Sequence, residues 1–577
     1  MLRSPKIYIV PVQRSQETME KKHTRRSDKS TCVTSKGGTL LSCETASTMT
    51  SAVKEAEDNA SKMFIRSAVP LPQCEICFYF IVWGIMAGLM VIYCVVFSWE
   101  YQWEMWPKSI FRRSDFAHGW VDGQLQDVSE FEWNFWFRLW SPCLILWVVG
   151  HSVISAIASK FLTKYKLHIW TIYAMSAVTY VLGFKSMLIL LLHCIIAYFS
   201  SITGLPAVVW ATIVLLISTL NMNTTTEHFK TFFPDDARSG NASFVRFHLL
   251  LFSTAMFDMR LASFCLERCN KKDGDSGYSF IDMLAYVFYL PLMYTGPILT
   301  YEKFRMQVSS FRPWTKEDVI NITKKFIQQV VYIVLIEYHL HYFYYSSMSH
   351  NFAFLQKISS GETVVLLYCK VMFFYLKYLP LFGVPSLFAS LDQIQTPKGP
   401  ACVSRISNFS EVWKTFDRGF YSFITQHIYI PLGGSRMGTG KQLLAVSACF
   451  GYIYIWHGTE YHLFIWAVVN YAGVLLEIMG RSVSNFQSIR KIEARYLSNQ
   501  MSRRLMSLAC IPSLCMSLLG VIYFFDGEVI GNVFFRKIVK EGPWMMYLTI
   551  LLTLYCGCNA SFEAWNWDME KAKKKQS

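Results

Sequence analysis

Trp413-Lys414-Thr415-Phe416-Asp417-Arg418-Gly419 opens a stretch that continues as Phe423-Ile424-Thr425-Gln426-His427-Ile428-Tyr429-Ile430-Pro431-Leu432-Gly433-Gly434. It closes with the apolar run from Leu443 to Trp456, then His457 and Gly458. Two ionisable residues, Asp417 and His457, stand 40 positions apart in it, each among aromatic and aliphatic neighbours. A histidine that ends an apolar run can sit at membrane depth, where an ionisable side chain is costly and is a functional candidate by default. The plainer alternative is a solvated histidine beside a helix end. The apolar surroundings weigh toward the first.

Outward from that stretch, composition agrees. The 577 residues are 53% hydrophobic, 16% aromatic and only 16% charged, which marks a polytopic membrane protein rather than a string of soluble domains. Windows long and apolar enough to cross a bilayer lie near 76–98, 136–158, 167–184, 186–203, 205–221, 245–266, 280–300, 324–345, 363–390, 441–457, 460–480, 506–525 and 543–558. Several are short or broken by proline, so some of them are expected to re-enter rather than span. The sixteen cysteines fall singly and form no disulfide framework, and Cys265 with Cys269 lacks the second pair that a zinc site requires. The net charge of +15 is spread over loops and ends. In a membrane protein that excess reports orientation and contact with anionic lipid head groups, not nucleic acid.

In chain order, residues 1–70 read as a polar, basic, disordered tail on the cytosolic side, with no cleaved leader before the first apolar run. Residues 71–570 read as one membrane domain, and 571–577 as a lysine-rich cytosolic tail that resembles a signal for retrieval to the endoplasmic reticulum. The tryptophan-rich segment Trp99 to Phe135 is expected to lie in the head-group layer. Pro291, Gly296 and Pro297 break the 280–300 window, which is tolerated where the break lines a cavity. Glu337, His339 and His341 read as a solvated helix end, with a ligand cluster as the alternative. Cys402, after a Pro/Gly-rich loop, specifies no site on spacing alone.

The residues so far collected resemble the membrane-bound O-acyltransferases, and among them the hedgehog acyltransferase branch of protein-cysteine N-palmitoyltransferases. The resemblance is carried by Glu132-Trp133-Asn134-Phe135-Trp136, Ala285-Tyr286-Val287-Phe288-Tyr289, Gly296-Pro297-Ile298-Leu299, Lys377-Tyr378 with Leu381-Phe382-Gly383-Val384-Pro385, Cys402-Val403-Ser404, Trp413 with Phe416-Asp417, Tyr429-Ile430-Pro431 with Gly433-Gly434-Ser435, and Trp456-His457-Gly458. It runs in order from about residue 100 to residue 570. Most of the family has asparagine where Asp417 stands, whereas this branch has aspartate.

The resemblance implies an all-α membrane core with re-entrant segments and a tunnel open to both faces, in the endoplasmic reticulum or Golgi. Palmitoyl-CoA would enter from the cytosol, and a secreted signalling protein of the Hedgehog type, with an N-terminal cysteine, from the lumen. It implies His457 as general base and Asp417 as holder of the incoming amine, with Trp413 and Tyr429 shaping the tunnel, Lys414 at a phosphate-contact position, and Cys402 as a ligand to haem iron. The chemistry is coherent: acyl transfer from a thioester needs a deprotonated nucleophile and a stabilised oxyanion. An N-terminal amine of pKa about 7.7 to 8.0 needs only a base near neutrality. The competing readings are an O-acyltransferase acting on a lipid or a serine hydroxyl, and a non-catalytic regulator of lipidation. The first would prefer asparagine at 417, and the second typically lacks the histidine.

Overall fold

The computed structural model describes residues 69–105, 113–140, 142–233, 242–271, 276–309, 312–405 and 407–576. The polar tail expected at 1–70 thus lies outside the described residues except for its last two. The described residues are predominantly helical, their one sheet being a short antiparallel pair, Phe116–His118 with Leu125–Asp127.

Among the described residues nine helices are long and apolar enough to cross a membrane: Gln73–Met105, Pro142–Phe161, Phe184–Ile202, Ala242–Cys269, Lys316–His339, Ser360–Leu391, Tyr461–Asn485, Asn499–Phe535 and Trp544–Gln576. A tenth arises if Pro206–Leu220 and Asn223–Lys230, bent by 62°, count as one broken span. The windows near 167–184 and 441–457 are helices as well, Lys166–Leu182 and Thr439–His457. The window near 280–300 is not a span. It breaks into Phe280–Val287 and Leu290–Met293 and continues as irregular chain through Gly296 and Pro297. All of this irregular stretch is buried except half-buried Thr295, so its backbone is shielded by protein.

Two expectations need correction. The segment from Trp99 to Phe135 is not an interfacial layer throughout. Trp99 and Trp120 are exposed, but Trp133 is buried and its indole Nε1 donates to Glu337 Oε1 at 2.7 Å. Trp136 is buried beside it, with ring centroids 5.3 Å apart. For the same reason Glu337, His339 and His341 are not a solvated helix end. Glu337 takes a second hydrogen bond from Gln126 Nε2 at 2.7 Å, and His341 is fully buried. A carboxylate that receives two donors and an indole that gives its proton away can leave the water together.

Contacts sort the loops onto two faces. On the first, Arg503 donates to Val69 O and pairs with Glu563, Arg504 is bidentate to Glu75, and Arg405 pairs with Asp568. On the second, Tyr344 N donates to Ser98 Oγ, Asn351 to Tyr101 OH, Ser347 N to Asp127 Oδ2, and Lys537 to Ile358 O. The segment near residue 70 and the last helix therefore start and finish on one face. The lysine-rich stretch 571–576 prolongs the Trp544–Gln576 helix rather than breaking from it. The first face carries Arg405, Arg495, Arg503 and Arg504 with Glu75, Glu563 and Asp568, and the second carries Lys357, Arg536 and Lys537 with Asp115, Asp127 and Glu528. Lysine and arginine of short loops tend to the cytosolic side, and on that tendency the first face is expected to be the cytosolic one.

An N-glycosylation acceptor engineered into the 121–123 turn should be modified in microsomes, while one placed after Gln576 should stay unmodified. Modification of both, or of the second alone, would contradict this arrangement.

Candidate active site

Asn408 begins the approach to the site. Its side chain accepts from Glu411 N at 3.1 Å and caps the short helix Phe409–Thr415, which carries Trp413 and Lys414. The chain then turns at Phe416. Asp417 caps the next helix, Arg418–Ile424, its Oδ1 accepting from Gly419 N at 2.9 Å and Phe420 N at 3.0 Å. Asp417 is 1% exposed, and its other oxygen, Oδ2, is buried with no hydrogen-bond partner among the described residues. Burial pushes this carboxyl up to about 7, against the two backbone amides that pull it down.

Position 419 has room only for glycine. A Cβ there would run into the carbonyl oxygen of Ile298, so the capped helix rests directly on the irregular Gly296-Pro297-Ile298 segment. One further turn, Thr425–Tyr429, is π-helical and leads through Pro431 and Gly433 to the Thr439–His457 helix.

His457 closes that helix, 1% exposed. The end is pinned by the neighbouring Trp456, whose Nε1 donates to Ala255 O at 3.1 Å. The imidazole meets Trp466 edge-on at 5.0 Å and Phe524 at 5.6 Å. Trp466 lies 6.0 Å from Trp413, which stands at right angles to Phe450. Phe524 lies 6.1 Å from Phe374, and Phe374 stacks at 4.9 Å on Phe416, the residue before Asp417. Through these rings the structure joins His457, Trp413 and the Asp417 segment in one aromatic cluster. Phe416 stood out in the sequence as part of the Phe416-Asp417 motif, but Phe374 and Phe524 carried no signal, because an aromatic at helical spacing reads equally well as lipid-facing.

The remaining predicted residues fall elsewhere. Tyr429 is half-buried, its hydroxyl accepting from Gln442 Nε2 at 3.2 Å and its ring against Gly434. Gln442 and His457 are fifteen residues apart on one helix, so roughly 22 Å of helix axis separates Tyr429's partner from the histidine. Lys414 pairs with Glu411 Oε1 at 3.4 Å, next to Thr415, whose carbonyl accepts from Ala401 N toward the first face. Cys402 is a half-buried free thiol at that face, close to Tyr368 and Tyr375. Among the described residues no three His, Cys, Asp or Glu side chains cluster to hold a bare metal ion. The partly exposed Cys402 thiol is of the donor type that a haem iron would take.

The model of one protein family, described as MBOAT, membrane-bound O-acyltransferase family, matches residues 195–521. Protein-cysteine N-palmitoyltransferase HHAT of Mus musculus is 31% identical over 445 residues, 75% of this chain and 87% of that protein. A protein-cysteine N-palmitoyltransferase HHAT-like protein of Mus musculus is 26% identical over 441 residues, covering 75% and 84%. Protein-cysteine N-palmitoyltransferase Rasp of Drosophila melanogaster is 25% identical over 507 residues, covering 84% and 94%.

Asparagine caps a helix about as well as aspartate, so Asp417→Asn should leave thermal unfolding of the detergent-solubilised protein unchanged or raised. Asp417→Ala should lose about 1 kcal/mol with the cap. Equal stability of the two variants would remove the capping role.

Proposed function

Since the chain belongs to the membrane-bound O-acyltransferase family, we propose that it transfers a palmitoyl group from palmitoyl-CoA to the N-terminal cysteine amine of a secreted signalling protein of the Hedgehog type. It is an acyltransferase and a multi-pass membrane protein. The endoplasmic reticulum as its place of work is part of the same proposal.

What supports the amine reading is Asp417: one oxygen is spent on capping the helix, and the other is buried and unpartnered among the described residues. A carboxylate held so in a low dielectric attracts an amine in a way that an amide cannot. In this reading the amine, hydrogen-bonded to Oδ2, attacks the thioester carbonyl. The new C–N bond forms, the C–S bond breaks and coenzyme A leaves as the thiolate. His457 takes the proton that nitrogen loses and passes it to the departing sulfur. Its place at a helix C-terminus suits that work, because the negative end of the helix dipole meets the imidazolium. The surrounding rings of Trp413, Trp466 and Phe524 exclude water, which would otherwise compete for the thioester.

Lys414 stands toward the cytosolic face, where a coenzyme A phosphate would approach, and Tyr429 would line the donor's path there. Cys402 would hold haem from the same side. The haem would have a structural part, since acyl transfer uses no redox step.

His457→Ala should lose activity by roughly a hundredfold or more while retaining palmitoyl-CoA binding. Asp417→Asn, which keeps the cap, should impair acylation of a peptide with a free N-terminal cysteine. Full activity in Asp417→Asn, or equal labelling of an N-acetylated peptide, would sink the amine reading and favour a hydroxyl acceptor. Purified wild-type protein should show a Soret band that Cys402→Ala removes; an unchanged band would exclude Cys402 as the ligand.

A further inference from the structure

A second group of buried charges lies close to the aromatic cluster without belonging to it. Lys370, on the Ser360–Leu391 helix, bonds Asp526 on the Asn499–Phe535 helix, and its Nζ also donates to Ser349 Oγ at 2.6 Å. His350 Nε2 lies 3.6 Å from the same Asp526 oxygen. The Lys370 side chain is 9% exposed and that of Asp526 3%.

Asp526 sits at a particular place. Phe524, two residues before it, is the ring that meets His457. Phe525, next to it, lies 5.0 Å from Phe374, the ring stacked on Phe416 beside Asp417. Gly527, immediately after it, has φ 73° and ψ −171°, a conformation that breaks the helix and that a side chain would resist. Three consecutive residues thus touch the histidine, the ring stacked on the aspartate's segment and a buried lysine, at a point where the helix no longer fixes the path of the chain beyond it. A buried ion pair is weak evidence for stability, because apolar replacements of similar volume are often as stable. Its best-attested use is to fix the register of the elements it joins.

We infer that the Lys370–Asp526 pair is a positioning element for acyl transfer: by tethering Asp526 to the Ser360–Leu391 helix it sets Phe524 and Phe525, and through them His457 relative to Asp417. This rests on the reading of His457 and Asp417 as the catalytic pair. Neither Lys370 nor Asp526 touches the reacting atoms. Their loss acts on geometry, and a displacement of about 1 Å far from the chemistry can cost as much as a hundredfold in rate.

The test uses the full chain in detergent with palmitoyl-CoA and a peptide bearing an N-terminal cysteine. It compares wild type, Asp526→Asn, the double variant Lys370→Met with Asp526→Leu, and His457→Ala. The double variant leaves no unpaired buried charge, so it reports on position even if Asp526→Asn fails to fold. Both pair variants should lose roughly ten- to a hundredfold in kcat with KM for both substrates little changed. The pH midpoint of kcat should not move, because a positioning role adds no charge at the histidine. Wild-type kcat in the double variant, or a shifted midpoint, would overturn the inference while His457→Ala stays inactive. An active His457→Ala would instead overturn the catalytic reading beneath it.

Discussion

A carboxylate buried away from water has to be held by donors, and Asp417 is held by two backbone N–H groups at the start of a helix. Much of the surrounding architecture depends on that one interaction. The donors exist only because a helix begins at Arg418. That helix can begin there only because Gly419 lets it rest on the Ile298 carbonyl. Ile298 in turn is reachable because the 280–300 segment is broken and irregular instead of a continuous span. The cap occupies one carboxylate oxygen and leaves the other without a partner among the described residues.

The same economy recurs at the other buried charges. Lys377 lies between Glu130 Oε1 at 2.5 Å and Glu132 Oε2 at 2.6 Å, and Tyr378 donates to Glu132. Glu130 also caps the Phe131–Leu139 helix through Trp133 N. Each of these ions is shared by segments far apart in sequence, and each would be an uncompensated charge without its partner. The polar groups in the core thus act as joints between helices that apolar packing alone would allow to slide.

The same division between local and distant partners explains which features were legible in the sequence. Apolar windows of about twenty residues identify helices because a bilayer imposes that length, and most of the windows became helices. The break near Pro291 and Gly296 was legible too, since proline and glycine act locally. Asp417, His457 and Trp413 could be singled out because the motifs around them are dense. The burial of Trp133 was not legible: its partner is Glu337, some two hundred residues on, and the local sequence around the tryptophan looks amphipathic in either setting. Lys370 and Asp526 were invisible as a pair for the same reason. Tyr429 shows the converse. It lies only 28 residues before His457, yet an intervening helix carries its partner Gln442 to the far end.

The two faces of the protein give the last constraint. The Asp417 segment is tied toward the first face, through Ala401 N to Thr415 O before it and Lys303 Nζ to Ser422 Oγ after it. His457 ends a helix whose Ile455 carbonyl accepts from Asn221, and its ring meets Phe524, two residues from the Asp526 joint of the opposite face. Under the proposed function, a donor arriving from one side and a peptide from the other would meet groups contributed from both sides of a single water-poor layer. If one helix carried both groups, a motion of that helix would carry the pair together and leave their spacing unregulated. With the groups on separate elements, their spacing is set by whatever ties those elements together, and in this chain that tie is the aromatic bridge from Phe416 through Phe374 and Phe524 to His457.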